Sequence, residues 1–303
     1  MKILVTGGLG TVGTPLVNEL RSRGNSIWVC DLSHTHYEQY TRCDISEYRQ
    51  LERIILVHKF DFVFNLAAEF GRWNGELAYE NLWSTNVIGM KHLLRLQNKY
   101  RFRLVHFSSS EIYGDFRGEM YESVPLDHPL LPLNDYAMTK LVNEWQIRNE
   151  SILNGTETVV VRLFNTYGPG EFFTPYRSVI ARFCYYALHS KPYTVHLGHK
   201  RSFSYIDDTV NSIANIVTSF VPGDVYNIGD STQYSIKDVS DLIQKECGIV
   251  SSLVNYEDKE ELTTTEKMIN NHQARTRLGY KQSVSLEEGI AHTVAWMRQV
   301  YGK

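Results

Sequence analysis

Thr6-Gly7-Gly8-Leu9-Gly10-Thr11-Val12-Gly13 follows the apolar run Ile3-Leu4-Val5 and opens a stretch, residues 11–23, with helical spacing. Gly7 permits a tight turn, and Gly10 leaves room for backbone amides to approach a diphosphate. Gly13 allows the helix to pack closely on the strand. The helix start adds free N–H groups and a favourable dipole for an anion. Gly7, Gly10, Thr11, Val12 and Gly13 are therefore expected to cradle a dinucleotide diphosphate, and in this strand–turn–helix setting a plain glycine turn is the poorer explanation.

The second strand, residues 26–30, ends at Asp31, about 20 residues beyond the glycines, where an acid can bind a ribose diol. Asp31 would repel a 2′-phosphate, and no Arg or Lys immediately follows it. NAD is thus favoured over NADP. Asp44-Ile45 follows a presumed third strand and is a candidate for the adenine.

Further out, short apolar runs at 61–66, 103–107 and 157–163 alternate with helical patterns at 46–59, 76–100 and 135–153. Ser46 is a candidate N-cap, and Leu51, Ile54, Ile55 and Val57 supply the apolar positions of its helix. Such alternation predicts an α/β fold: a Rossmann-type, doubly wound parallel sheet covered by helices on both faces. The second half is more mixed. Helical patterns at 177–190, 207–219, 235–247 and 286–299 and strands at 193–196 and 225–228 predict a smaller α/β lobe. The expected division is an NAD-binding domain at 1–163 plus about 203–229, with a substrate lobe at 164–202 and 230–303.

With 303 residues, 43% hydrophobic and 21% charged, the chain can bury a sizeable core. A net charge of −3 gives no bulk attraction to nucleic acid. No apolar run approaches the ~20 residues that span a bilayer, and the N-terminus does not read as a signal peptide. Cys30, Cys43, Cys184 and Cys247 are scattered, which points to reduced thiols in the cytoplasm. His34 with His36, and His196 with His199, lack partners at metal spacing, so they read as loop or surface residues and no metal is expected.

Tyr136-Ala-Met-Thr-Lys140 places a phenol and an ammonium on one helix face. A phenol with a pKa near ~10 is a poor base at neutral pH. A neighbouring ammonium and a positively charged nicotinamide favour the phenolate. Upstream, Ser108-Ser109-Ser110-Glu111-Ile-Tyr113-Gly114 sets hydroxyls at the end of a strand, where one can hydrogen-bond a substrate alcohol.

The set TGGLGTVG, NLAA at 65–68, TNVIGM at 85–90, SSSEIYG and YAMTK resembles the NAD-dependent epimerase/dehydratase family, the extended short-chain dehydrogenases. Arg162-Leu-Phe-Asn-Thr-Tyr-Gly-Pro-Gly170, Arg201-Ser-Phe-Ser-Tyr-Ile-Asp-Asp208 and Leu278-Gly279 extend the resemblance over nearly the whole chain. It implies NAD as cofactor, a nucleotide-diphosphate sugar as substrate, and Leu66, Ala67, Ala68 and Asn86 beside the cofactor. It implies that Tyr136 takes the proton of the sugar C4 hydroxyl while hydride passes to NAD, with Lys140 and Ser109 assisting. It also implies a homodimer built on the helices at 76–100 and 135–153.

Ser109-Ser110-Glu111 resembles the Thr-Ser-Glu of GDP-mannose 4,6-dehydratases and UDP-glucuronate decarboxylases. A 4-keto group acidifies the C5 proton, so Glu111 is either the base there or a group that positions a sugar hydroxyl. The segment after residue 68 departs from the family, and Arg72, Trp73 and Asn74 are either sugar contacts or part of a solvated loop. The family's C-terminal diphosphate-binding Arg is absent. Lys259 or Lys267 are replacements, with Arg201 and Asn165 as the expected phosphate contacts. The leading expectation is an epimerase or dehydratase. A C4 dehydrogenase releasing the 4-keto sugar and a hexuronate decarboxylase are the alternatives, and a non-catalytic NAD-binding module fits poorly because Tyr136 and Lys140 are both present.

Overall fold

The computed structural model describes residues 1–36, 38–249 and 253–302. Its first half runs β1 (Lys2–Thr6), α1 (Gly13–Ser22), β2 (Ser26–Asp31), β3 (Tyr40–Arg42), α2 (Tyr48–His58), β4 (Phe62–Asn65), α3 (Arg72–Leu77), α4 (Tyr79–Trp83), α5 (Gly89–Tyr100), β5 (Arg103–Ser109), β6 (Glu119–Met120), α6 (Val124–Asp127), α7 (Asp135–Asn154) and β7 (Thr158–Leu163). It continues through β8 (Thr166–Tyr167), α8 (Val179–Leu188), β9 (Tyr193–His196), β10 (Lys200–Ser202), β11 (Ser204–Tyr205), α9 (Ile206–Ala214), β12 (Val225–Ile228), β13 (Gln233–Ser235), α10 (Ile236–Cys247), β14 (Val254–Glu257), β15 (Met268–Ile269), α11 (His272–Leu278) and α12 (Leu286–Tyr301).

Seven strands form one parallel sheet in the order β12-β7-β5-β4-β1-β2-β3. Ile3 pairs with Ile27 on one side and with Phe62 on the other. Successive residues of a strand face opposite sides, and both sides are covered here, which explains the apolar run Ile3-Leu4-Val5 in β1. Ile3 and Val5 pack with Leu16, Val17 and Leu20 of α1 on one face. Leu4 points the other way, to Leu51, Ile54 and Ile55 of α2 and Met90, Leu93 and Leu94 of α5. Chain order reverses between β1 and β4, and a sheet of this kind takes ligands at that switch point, beyond the strand C-termini.

The remaining strands form small pairs: β8 with β11, β9 with β14, β10 with β13 and β6 with β15. Serines start the helices of this part. Ser178, Ser235 and Ser285 each accept a bond from the third amide of α8, α10 and α12.

Four expectations need correction. The single helix foreseen at 76–100 is broken. Ala78, at φ −130°, separates α3 from α4, and a π-helical turn (Ser84–Ile88) separates α4 from α5. Asn86 explains that turn: its amide accepts from Glu69 N (2.9 Å) and donates to Glu69 O (3.0 Å) and Thr139 Oγ1 (3.0 Å). A regular helix would not bring it round to all three. Ser46 does not cap α2, because its hydroxyl bonds Asp44 Oδ1 instead (2.7 Å) and Glu47 takes the cap position. Val57 lies on the solvent side of α2. The stretch 207–219 is α9 followed by a short 3-10 turn (Asn215–Val217).

Beneath the sheet's C-terminal edge lies a buried ionic cluster. Arg162 of β7 binds Glu144 of α7 through two nitrogens, at 3.0 and 2.6 Å, and Tyr113 Oη at 2.8 Å. Ser108 donates to the same carboxylate at 2.5 Å, and Tyr113 donates to Asn227 of β12 at 2.8 Å. Arg162→Met would leave the Glu144 charge without its main partner in a dry site. The expected loss is about 3–5 kcal/mol of folding stability, read as a lower denaturant midpoint.

Candidate active site

At the switch point, a cavity of about 320 Å³ gathers most of the residues foreseen for the cofactor. Gly7, Gly10, Thr11, Val12 and Gly13 line it, with Asp31 at the end of β2, Asp44 and Ile45 after β3, and Leu66, Ala67 and Ala68 after β4. Gly7 has φ +66°, and a Cβ on it would sit 2.7 Å from Ala67 N. A Cβ on Gly13 would strike the Gly7 carbonyl oxygen. Gly7 therefore demands glycine for the turn read from sequence, whereas Gly13 demands it because the helix start lies against the Gly7-Gly8 backbone of the loop rather than against the strand. Asp31 Oδ2 accepts from Leu9 N at 3.1 Å, so the acid also braces the loop. Asn86 does not line the cavity. It sits behind, holding Glu69, while its neighbour Thr85 faces in.

Tyr136 and Lys140 line this cavity too, beside Phe107 and Ser108 at the end of β5. Asn134 caps α7 by accepting from Ala137 N at 2.8 Å, which sets Tyr136 in the first turn. Burial pushes the phenol up to about 12, against a lowering hydrogen bond from Ser109. Lys140 Nζ lies 5.7 Å from the Tyr136 ring centre and donates to Phe107 O at 2.8 Å. Burial brings its ammonium down to about 8, opposed by the Glu144 carboxylate one turn on.

A second cavity, of about 340 Å³, meets the first at Tyr136. Ser109, Ser110, Glu111, Arg72, Asn165 and Arg201 line it. Burial alone would raise the Glu111 carboxyl, but Lys267 and Arg72 outweigh burial and hold it down at about 2. Arg72 pairs with Glu260 at 3.0 Å across the cleft. Trp73 and Asn74 do not line it. Trp73 is exposed, and Asn74 turns back to Phe70 O at 3.1 Å.

The cations of this cavity are arranged differently from the sequence expectation. Both terminal nitrogens of Arg201 are engaged within the protein: Nη1 donates to Lys200 O and Thr265 O, Nη2 to Thr263 Oγ1 and Thr264 O. Asn165, at φ +41°, donates to Ser202 O at 2.9 Å. Lys267 is buried and paired with Glu111, and Lys259 does not line the cavity. Arg177 and Arg182, beside and within the first turn of α8, do line it, and each has a buried Nε without a hydrogen-bond partner. Arg177 stacks 4.0 Å from the Phe70 ring centre and borders both cavities. Sequence reasoning passed over both arginines because helical spacing alone gave no sign of which face meets the cleft. His196 and His199 also face this cavity. His199 is buried, with Nδ1 near Thr264 O and Nε2 accepting from Glu260 N, so it is not a surface residue.

A dinucleotide cavity at a Rossmann switch point, closed by a Tyr–Lys pair and opening onto a second cavity, defines a nicotinamide-dependent enzyme. Comparison with known proteins specifies the class. Residues 3–229 match the NAD dependent epimerase/dehydratase family, so the chain belongs to that family and its cofactor is NAD. It is 29% identical to a UDP-N-acetyl-alpha-D-glucosaminuronate decarboxylase of Bacillus cytotoxicus, over 99% of this chain and 98% of that one. It is 27% identical to a dTDP-glucose 4,6-dehydratase of Salmonella typhimurium, over 98% and 92%. The fold is similar to the UDP-glucose 4-epimerase of Thermotoga maritima with UDP-glucose, at TM-score 0.90 and 25% identity over 99% and 100% of the two chains. It is also similar to the UDP-glucuronic acid 4-epimerase of Bacillus cereus with UDP-glucuronic acid and NAD, at TM-score 0.88, 25% identity and the same coverage.

Asp31→Ala should lower NAD affinity about tenfold, or 1.4 kcal/mol, and narrow the preference over NADP. Titration calorimetry with each dinucleotide checks both effects.

Proposed function

We propose that this enzyme oxidises the C4 hydroxyl of a nucleotide-diphosphate sugar and then dehydrates or epimerises the 4-keto sugar before the hydride is returned. One observation carries the reading: the two cavities meet at Tyr136, with Ser109 at its phenol and the Glu111 carboxylate in the second cavity. Bound NAD supplies the hydride acceptor and later the donor. In this reading residues 1–163 with 203–229 hold NAD, and residues 164–202 with 230–303 hold the sugar nucleotide.

Tyr136 takes the C4 hydroxyl proton. Its phenol rests near 12, so the phenolate depends on positive charge brought close to it, from Lys140 and from the oxidised nicotinamide. Ser109 holds the C4 oxygen. Glu111, already ionised, takes the C5 proton that the 4-keto group acidifies, with Ser110 beside it. Arg177 and Arg182, whose buried Nε atoms lack partners, hold the diphosphate. Arg201 and Asn165 shape its bed through the main chain, and Arg72 borders the sugar.

A nucleotide-hexuronate decarboxylase is the second reading. A 4-keto hexuronate is a β-keto acid and loses CO2 without a base at C5. Arg177, at the junction beside Tyr136, suits a sugar carboxylate, and the Bacillus cytotoxicus relative is named for such a reaction.

Exposed Leu77, Ile88, Met138, Trp145 and Ile152 form apolar patches on α3–α5 and α7, which supports a homodimer through these helices. Light scattering should then give about twice the 35.0 kDa chain mass. Among the described residues no helix is long and apolar enough to cross a membrane, and we place the enzyme in the cytoplasm.

The deciding experiment mixes NAD-loaded protein with UDP-, GDP-, CDP- and dTDP-sugars, including a hexuronate, and follows NADH absorbance, CO2 and product NMR. Tyr136→Phe should cut C4 oxidation by roughly 10²–10⁴-fold. Glu111→Gln should still form NADH but stall at the 4-keto sugar. If Glu111→Gln keeps full turnover with CO2 release, the decarboxylase reading replaces the first.

A further inference from the structure

Glu111 does not stand alone at the edge of the sugar cavity. Lys267, 156 residues away in sequence and 1% exposed, puts Nζ 2.5 Å from Glu111 Oε1 and 3.3 Å from Ser110 Oγ. Asn134 donates to the other oxygen, Oε2, at 3.3 Å. Both carboxylate oxygens are thus held, one by the C-terminal lobe and one by the cap of the helix that carries Tyr136. Ser110 and Glu111 line the cavity while Lys267 does not, so the ammonium acts from behind.

Lys267 is itself firmly moored. Its carbonyl accepts from Gln233 Nε2 at 2.7 Å, and the next two residues form β15 against β6. Asn134 also donates to Leu262 O at 3.0 Å, tying the same C-terminal segment to α7. A compact ammonium with three donors fits such a place, where a planar guanidinium would not.

We propose that Lys267 is a positioning residue for the second chemical step: it fixes the Glu111 carboxylate, ionised and facing the sugar cavity. This rests on the reading of Glu111 as the group that acts on the 4-keto sugar. The charges facing Glu111 are Lys267 from the β15 segment, Arg72 from α3 and Arg201 from β10, with the Tyr136 phenol on the α7 side. Lys267 is the one in direct contact. The C5 proton passes to Glu111 while the C5–H electron pair enters the enolate. The carboxylic acid so formed beside an ammonium is a stronger acid than one left alone in a buried site, so it gives the proton up again.

The test separates the two half-reactions in wild type, Lys267→Met, Glu111→Gln and the neutral double variant. For Lys267→Met, NADH formation should stay within about threefold of wild type, while product formation falls about 30-fold or more. The acidic limb of product formation should move up by about one unit or more, because burial raises a carboxyl that has lost its cation. Glu111→Gln/Lys267→Met should be no slower than Glu111→Gln, since the lysine acts only through the carboxylate. An unchanged acidic limb in Lys267→Met, or two half-reactions falling together, would make the pair a structural tie and overturn the proposal. If Lys267→Met does not fold, the double variant decides, and product formation slower than in Glu111→Gln overturns the proposal. A wild-type protein that forms no NADH with any nucleotide sugar overturns the proposed reaction itself, a distinct result.

Discussion

The largely covered Glu144 carboxylate ties together the elements that line the candidate site. It receives Arg162 from β7 and Ser108 from the end of β5, and it lies one turn beyond Lys140 on α7. Ion pairs in dry surroundings contribute little net stability compared with apolar packing, but breaking one is costly. Their effect here is geometric. The pair fixes how α7 sits over the strand ends, and α7 carries Tyr136 at its start. The same carboxylate opposes the burial that would strip Lys140 of its proton. One charge thus helps place α7 and tempers the effect of burial on Lys140.

Burial then divides the labour among the titrating groups. It pushes Tyr136 up to about 12 and Lys140 down to about 8. Neither is primed on its own, and the phenolate forms when positive charge arrives beside it. Glu111 is set the other way. Lys267 and Arg72 overcome the effect of burial and keep it ionised. On the proposed reading the first step therefore depends on the loaded cofactor, while the group assigned to the second step is ready beforehand. Two groups pushed apart in this manner can serve two proton transfers in one cleft without competing.

The sheet and the cofactor side were legible because local rules act over few residues. Ile3-Leu4-Val5, the glycines and Asp31 lie within one strand–turn–helix–strand unit, where spacing alone decides which atoms meet. The long helix at 76–100 was misread because Asn86 takes its conformation from Glu69 and Thr139, partners that helical periodicity does not contain. Ser46 looked like a cap, but Asp44 competes for its hydroxyl. The substrate side was less legible still. Arg201 was expected to grip a phosphate, yet its terminal nitrogens are engaged by a loop some sixty residues away. Nothing near Arg177 or Arg182 in sequence signals that α8 turns them into the cleft.

This unevenness has a physical origin in how the cleft is built. The cofactor cavity takes its walls from consecutive strand ends, so its chemistry travels with the sheet. The second cavity draws on α3, the ends of β5 and β7, α8, β9, β10 and the segment before β15. Its charges meet across those elements, Arg72 with Glu260 and Glu111 with Lys267, while Glu171 faces Arg177 and Arg182 from the same stretch of chain. Glu260 occupies the region where the family resemblance led to a diphosphate-binding Arg, and an acid there opposes an anionic ligand. Arg177 and Arg182, each with a buried Nε that lacks a hydrogen-bond partner, line the same cavity beside and within the first turn of α8. Specificity then resides in side chains that substitution can exchange without disturbing the sheet, which is how one scaffold comes to serve different second steps.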